Sequence, residues 1–539
     1  MKNMKKWMSL LLVALMTISM LTACGGNKEQ EEPAPPAELE ENTGDVGEVE
    51  QGAAYEETVT IGMLSELDSA DPYGSGSAEC QMMTNMTHLL LAINNTDTGN
   101  LDAITAEKWE DVNGDGMAWR VYLKKGVTFH NGEEMKAEDV KFTWEYVHPD
   151  AGNVLKPLAA ASYVDNIEIE DDYTLVFNLK NAMFDFPTYL ETKTYSKKAF
   201  DSMDVADAAL IGNGPYAYDK SLYQSGVQYG FTRFDDYYEG IDNYPTKHLV
   251  VKFIPEEDAR IAAIQAKEID VVFFQSSSYY GILDADPNVT AYSRKGAQSY
   301  FMGFNYTSDK IKDAKVRQAL AMAINKDDIV SIAFENGLGG AVSNNFCVPS
   351  GAGYTEVDHV EYNPDGAKAL LEELGYGEAG SLTLDLVHYA STKKIAEVVQ
   401  ANLNMVGVTV NITQIEDTNW GAFKRAKEGY DVFLDYCSYK GALLYNYNRF
   451  LQKDGSSNMN GHYNPEFETL LANVQSAGSY DEMLTEFAKM QQWVADDCTL
   501  IPLAVNNMLG AALNDVEGYV LADTANYLNY STLRIPARG

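Results

Sequence analysis

In the run Trp119-Arg120-Val121-Tyr122-Leu123, apolar and polar positions alternate, so Trp119, Val121 and Leu123 share one face of a half-buried strand. Gly126 and Asn131-Gly132 mark turns, and from Lys136 the spacing lengthens to that of a helix carrying Val140, Phe142, Trp144 and Val147. Further on, Asp313 is placed to cap a helix burying Val316, Ala319, Leu320 and Ala323. Asn325 is placed to cap a second one, predicted to end at Gly337. The same punctuation returns with Asn363 as cap, Pro364 at the first helical position and Gly375 as stop. From Ser381 the period alternates: strand "LTLDLVHY", a helix with Ile395, Val398, Val399 and Leu403 on one face, then strand "VTVNITQI". A strand–helix–strand of that kind implies parallel pairing through a right-handed crossover. Ser479 heads a helix burying Met483, Leu484, Phe487, Met490 and Val494, and the strand "TLIPLAV" follows. The pattern is that of an α/β body with more than one sheet.

The N-terminal pattern is different. Lys2, Lys5 and Lys6 precede an uncharged apolar run, Met8–Thr22. A spanning helix needs about 20 such residues, so this length suits the core of a signal peptide. Leu21-Thr22-Ala23-Cys24 resembles the lipobox of bacterial lipoproteins. That resemblance implies a signal peptide over 1–23, cleavage before Cys24 and a diacylglyceryl thioether on its sulfur, the alternative being an ordinary secretory signal with a chance cysteine. Residues 24–54 mix Glu29, Glu31, Glu32, Glu38, Glu40 and Glu41 with Pro33, Pro35 and Pro36. With almost nothing apolar to bury, they are expected to form an extended, disordered tether.

Charge narrows the function. A net charge of −39 excludes nucleic acid, whose phosphates reward Lys and Arg. Cys80, Cys347, Cys437 and Cys498 are scattered without CxxC spacing, so zinc is not expected and disulfides stay open. "DVNGDG" (Asp111–Gly116) matches the first half of an EF-hand loop, but the twelfth position is Tyr122, so a turn between strands is the better reading. "DTG" (Asp97–Gly99) matches an aspartic-protease motif without the second copy that chemistry needs. No nucleophile elbow, zincin helix or P-loop occurs, and the seven histidines show no ligand spacing. Neither an enzyme nor a cofactor or metal is expected.

Six segments in order carry a family resemblance: "TGNLDAITAEKWE", "LKKGVTFHNGEEMKAEDVKFTW", "GNGPYAYDK", "ARIAAIQAKEIDVVF", "AKVRQALAMAINKDDIV" and "YNPDGAKALLEELGY". Together they resemble family 5 of the solute-binding proteins of ABC importers, with Asn213 standing where the family usually has Thr. The resemblance implies a two-lobed periplasmic-binding-protein-like fold. Lobe I would hold 55–304 with a subdomain inserted near 80–200, lobe II 305–509, and 510–539 would return to lobe I. Crossings near Phe304-Asn305-Tyr306 and Asn506–Ala511 would form the hinge. It also implies a monomer on the outer face of the bacterial membrane that delivers peptide or small-solute cargo to permease and ATPase subunits. Oligosaccharide binding, or a sensor or surface role on the same fold, are the alternatives.

In the family's peptide binders, an acidic residue in a lobe II loop holds the peptide amine. The matching loop "CSYKGALLYNYN" has no carboxylate before Asp454 and offers Lys440 instead. A free peptide amine is therefore disfavoured at that place. The resemblance makes Tyr436, Ser438, Tyr439 and Lys440 candidate ligand contacts, with Trp420 beside them and Ser75 and Ser77 facing them from lobe I.

Overall fold

The computed structural model describes residues 46–538 apart from 51, 67–68, 76, 96–99, 417–418, 439–441, 456, 459 and 523–527. The signal peptide, Cys24, the DTG motif, Tyr439 and Lys440 lie outside the described residues. The tether, expected to run free to Ala54, is held at its end. Arg534 donates from Nη2 to the carbonyls of Val46, Gly47 and Glu48 at 3.0, 3.2 and 3.2 Å.

Local signals in the sequence place most elements. Asp313, Asn325, Asn363 and Ser479 each accept a backbone N–H at the start of helices Ala314–Ala323, Lys326–Ala333, Pro364–Glu373 and Tyr480–Asp496. The second of these stops earlier than Gly337. Glu335 and Asn336 already take left-handed φ values of 50° and 58°, so the chain leaves the helix before the glycine. Strands Thr383–His388 and Thr409–Gln414 pair in parallel across helix Lys393–Met405, whose Ile395, Val398, Val399 and Leu403 are buried.

One eleven-stranded sheet runs through the body. Its centre is an antiparallel ladder of two long strands, Val289–Phe304 and Ile501–Leu513. To one side lie the parallel strands Val271–Phe274, Thr58–Met63 and His248–Phe253, and to the other Val432–Ser438, Thr383–His388 and Thr409–Gln414. A separate four-stranded antiparallel sheet joins Ala106–Asp111, Ala118–Leu123, Thr174–Leu179 and Val164–Asp171. Its first turn is the DVNGDG stretch, where the Asp111 carboxylate accepts the N–H groups of Asn113, Gly114 and Gly116 and so closes the turn itself.

The apolar core is divided to match. Val289, Ala291 and Met508–Leu513 pack into one cluster around Ile61 and Val251. At the other end of the same two strands, Met302, Phe304, Ile501 and Leu503 pack into a second, with Leu320 and Val399. Between them sits a small cluster of Ala297, Cys347, Val348 and Val505, and there the ladder breaks register between Lys295 and Ser299. Gly296 occupies the break because a Cβ there would lie 2.4 Å from Asn506 Oδ1, which instead accepts the Gln298 N–H at 3.2 Å.

Two of the resemblance-bearing motifs lock together. His130 donates its backbone N–H to Gly212 O at 2.8 Å, and Gly212 N–H donates back to Nδ1 at 3.2 Å. The proton is therefore on Nε2, which lies 3.0 Å from Gly214 O and donates to it. Buried Asn213 accepts the Leu89 N–H at 2.8 Å, while a Cβ on Gly212 would meet Thr87 O at 1.9 Å. Burial lowers the His130 pKa from 6.5 to about 4, so the folded protein keeps the ring neutral while the unfolded chain protonates first. This contribution to stability is complete above pH 6.5 and drains away as pH falls towards 4. In urea unfolding, the stability advantage of wild type over His130→Gln should shrink by on the order of 2 kcal/mol between neutral and mildly acidic solution. An advantage independent of pH would show that the ring does not titrate in this way.

Candidate functional site

Parallel strands Thr383–His388 and Val432–Ser438 run side by side, the second continuing past the end of the first, and an α/β sheet offers ligands a crevice beyond the carboxyl ends of such strands. There Tyr389 follows the first strand and Tyr436 sits near the end of the second. Tyr436 pairs opposite Tyr300 of the neighbouring long strand Val289–Phe304, their rings 5.5 Å apart. Tyr389 lies 6.0 Å from Tyr436 and 4.9 Å from Trp420, completing a row of four aromatic rings. Tyr436 keeps 37% of its surface exposed, which makes it the open face of the row. The indole N–H of Trp420 is buried without a hydrogen-bond partner. Behind the row, Lys424 sits 5.0 Å from the Trp420 ring and forms a buried ion pair with Asp435. Ser438 accepts from the Gln298 amide at 3.3 Å.

A cleft of about 540 Å³ opens between two sets of segments. One wall is Pro72, Tyr73 and Gln81, together with Lys156–Ala160, Tyr163, Thr188, Tyr189 and Glu191. The other is Ala442, Tyr445, Asn448, Arg449, Gln452, Asp454 and Gly455. Part of the expected loop is in fact a short helix, Tyr445–Phe450. Tyr445, Asn448, Arg449 and Gln452 are spaced i, i+3, i+4 and i+7, which brings all four to the cleft side. That spacing was present in "YNYNRFLQ" and is the signal by which they could have been found. The 156–163 segment carries no periodicity that would have marked it.

The remaining candidates occupy different places. Ser75 is buried and its Oγ accepts the Ser77 N–H at 3.0 Å, while Ser77 Oγ accepts the Cys80 N–H at 3.2 Å and caps helix Ala78–Thr87. Neither serine lines the cleft; Tyr73 and Gln81 on either side of them do. Trp420, Tyr436 and Ser438 do not line it either: Trp420 and Tyr436 belong to the aromatic row, joined through Tyr389, and Ser438 follows on the strand that carries Tyr436.

Beneath Gln81, Lys193 is 4% exposed and donates to Thr84 Oγ1 at 2.6 Å and to Gln81 O at 3.4 Å. Burial lowers its pKa to about 7, Cys80 opposes the shift and Lys156 adds to it. Burial likewise raises Asp185, just outside the cleft, to about 6. Among the described residues no group of His, Cys, Asp and Glu could hold a metal ion. The arrangement suits recognition by apolar surface and hydroxyl handles rather than bond-breaking chemistry.

Residues 101–458 match the model of bacterial extracellular solute-binding proteins, family 5. The dipeptide-binding protein of Escherichia coli K12 is 26% identical over 457 residues, covering 77% of this chain and 83% of that one. The oligopeptide-binding protein AppA of Bacillus subtilis 168 is 25% identical, covering 96% and 97%. The structure of AppA from Bacillus subtilis with a nonapeptide superposes with a TM-score of 0.71 at 22% identity, over 90% of this chain and all of that one.

The buried Lys424–Asp435 pair gives a direct test of what supports the aromatic row. Lys424→Met leaves Asp435 uncompensated and should cost about 3 kcal/mol in chemical denaturation, whereas Lys424→Met with Asp435→Leu should recover most of it. Equal losses in both variants would mean that packing, not charge, sets the cost.

Proposed function

Because the chain belongs to the family 5 bacterial extracellular solute-binding proteins, we propose that it is the ligand-capturing subunit of an ABC importer, held on the outer face of the membrane by lipid on Cys24, and that its cargo is an oligopeptide or a solute of similar size. Proteins of this family are non-enzymatic components of transport. The observation that carries the reading is a cleft with one wall from the 72–191 segments and the other from 442–455, in a body whose two main apolar cores are joined by two long strands.

Lobe I is taken as the strands from Thr58 to about Lys295 together with 507–538, carrying the four-stranded sheet as its insertion; lobe II is 299–505. The hinge then falls at the register break and its small cluster, a few residues before the crossing expected at 304–306. A ligand touching both walls favours the closed form, because only contacts that differ between two states shift their balance. The aromatic row presents Tyr436, Ser438 and Trp420 to the ligand, with Tyr439 and Lys440 continuing the same loop. Ser75 and Ser77 act through the turn they cap, which sets Tyr73 and Gln81 in the opposite wall. The aromatic row also suits sugar rings, which is why oligosaccharides belong in the same test.

Peptides two to nine residues long should raise the melting temperature of the soluble body, since a ligand that binds only the folded state stabilises it. A rise with oligosaccharides alone would overturn the peptide assignment and keep the importer. Small-angle scattering should show a smaller radius of gyration at saturating ligand, and an unchanged radius would count against lobe closure. Cys24→Ala should abolish metabolic labelling by palmitate and leave the protein unprocessed or shed; normal membrane retention would remove the lipid anchor.

A further inference from the structure

The cleft holds one cation whose surroundings are incomplete. Arg449 stands in the last turn of helix Tyr445–Phe450, half-buried, with its guanidinium 5.1 Å from the Tyr445 ring and 5.3 Å from the Phe450 ring. Its hydrogen bonds go to Tyr445 Oη at 3.4 Å and Ser457 Oγ at 3.1 Å, both neutral. Among the described residues it forms no ion pair, in a chain with 79 acidic side chains against 40 basic ones. The two carboxylates in the same cleft do not supply one. Glu191 accepts the Asn94 N–H at 2.7 Å on the opposite wall, and Asp454 is exposed at the rim, where water solvates it.

A half-desolvated guanidinium facing a cavity is a site for a planar anion, which it can hold through two parallel N–H bonds. We propose that Arg449 receives a carboxylate of the bound ligand, so that the cleft selects solutes with a free acidic end. The proposal rests on the peptide-importer reading and names the end of the cargo that the cleft grips. The two aromatic faces keep the guanidinium in place and restrict its motion, leaving less ordering to be lost on binding.

The test compares trialanine with its C-terminal amide by isothermal titration of the full soluble body. Wild type should bind the acid about tenfold or more tightly than the amide, the span expected for charge-assisted hydrogen bonds. Arg449→Gln should bring the two affinities together, and Arg449→Lys should keep part of the preference, because the charge remains while the paired geometry is lost. Equal affinities in wild type, or a preference that survives in Arg449→Gln, would overturn the proposal while leaving the peptide reading intact. Binding of neither form would overturn both. The wild-type comparison decides even where Arg449→Gln folds poorly.

Discussion

Antiparallel pairing between Val289–Phe304 and Ile501–Leu513 is the constraint that the remaining architecture accommodates, because each strand ends in a different apolar core. A ladder of that length is stiff along its hydrogen bonds, and a stiff connector would hold two halves at one angle. The interruption at Lys295–Ser299 changes this. Register slips, Asn506 takes over a backbone donor with its side chain, and the local core shrinks to Ala297, Cys347, Val348 and Val505. Deformation is cheapest where few apolar contacts must be repacked, so the lobe closure proposed above would concentrate its bending there and spare both large cores. Gly296 makes the close approach possible, and any side chain in its place would push Asn506 away.

How much of this was legible in the sequence follows from the range of the interaction involved. Caps and stops at Asp313, Asn325, Asn363 and Ser479 act over three or four residues, and their chemistry is visible in the string. The parallel unit around Lys393–Met405 was equally legible, because a buried helix face and two alternating strands each show their own period. The long ladder was not. "TLIPLAV" reads as an ordinary strand, and nothing local says that it continues to Leu513 against a partner two hundred residues earlier. The lock between His130 and Gly212–Gly214 shows the intermediate case, since both motifs were recognisable while their mutual contact was not.

The candidate site divides the same way. Tyr436 and Ser438 follow from the strand that carries them, and the structure joins Tyr436 to Trp420 through Tyr389. Ser75 and Ser77 are candidate ligand contacts by resemblance, yet Ser75 accepts the Ser77 N–H and Ser77 caps the helix behind the turn. The stretch after Ser438 resembles the family's ligand-holding loop, whereas Tyr445–Phe450 is a helix that turns Arg449 inward.

What sets Arg449 apart emerges from comparison with the fully buried arginines. Arg260 donates to the carbonyls of Ile254 and Pro255, both at 2.8 Å. Arg317 gathers the carbonyls of Ile311, Lys312, Asp497 and Cys498 and the Asp497 carboxylate. Arg534 collects the carbonyls of Val46, Gly47 and Glu48 and the Glu517 carboxylate. Each of these guanidiniums replaces lost water with several acceptors, as a cation taken out of solvent must. Arg449 has two hydroxyls and two aromatic faces, which hold it but leave much of its donor capacity directed at the cleft. In a protein this acidic, a cation without an ion pair among the described residues reserves that capacity for something that arrives from outside.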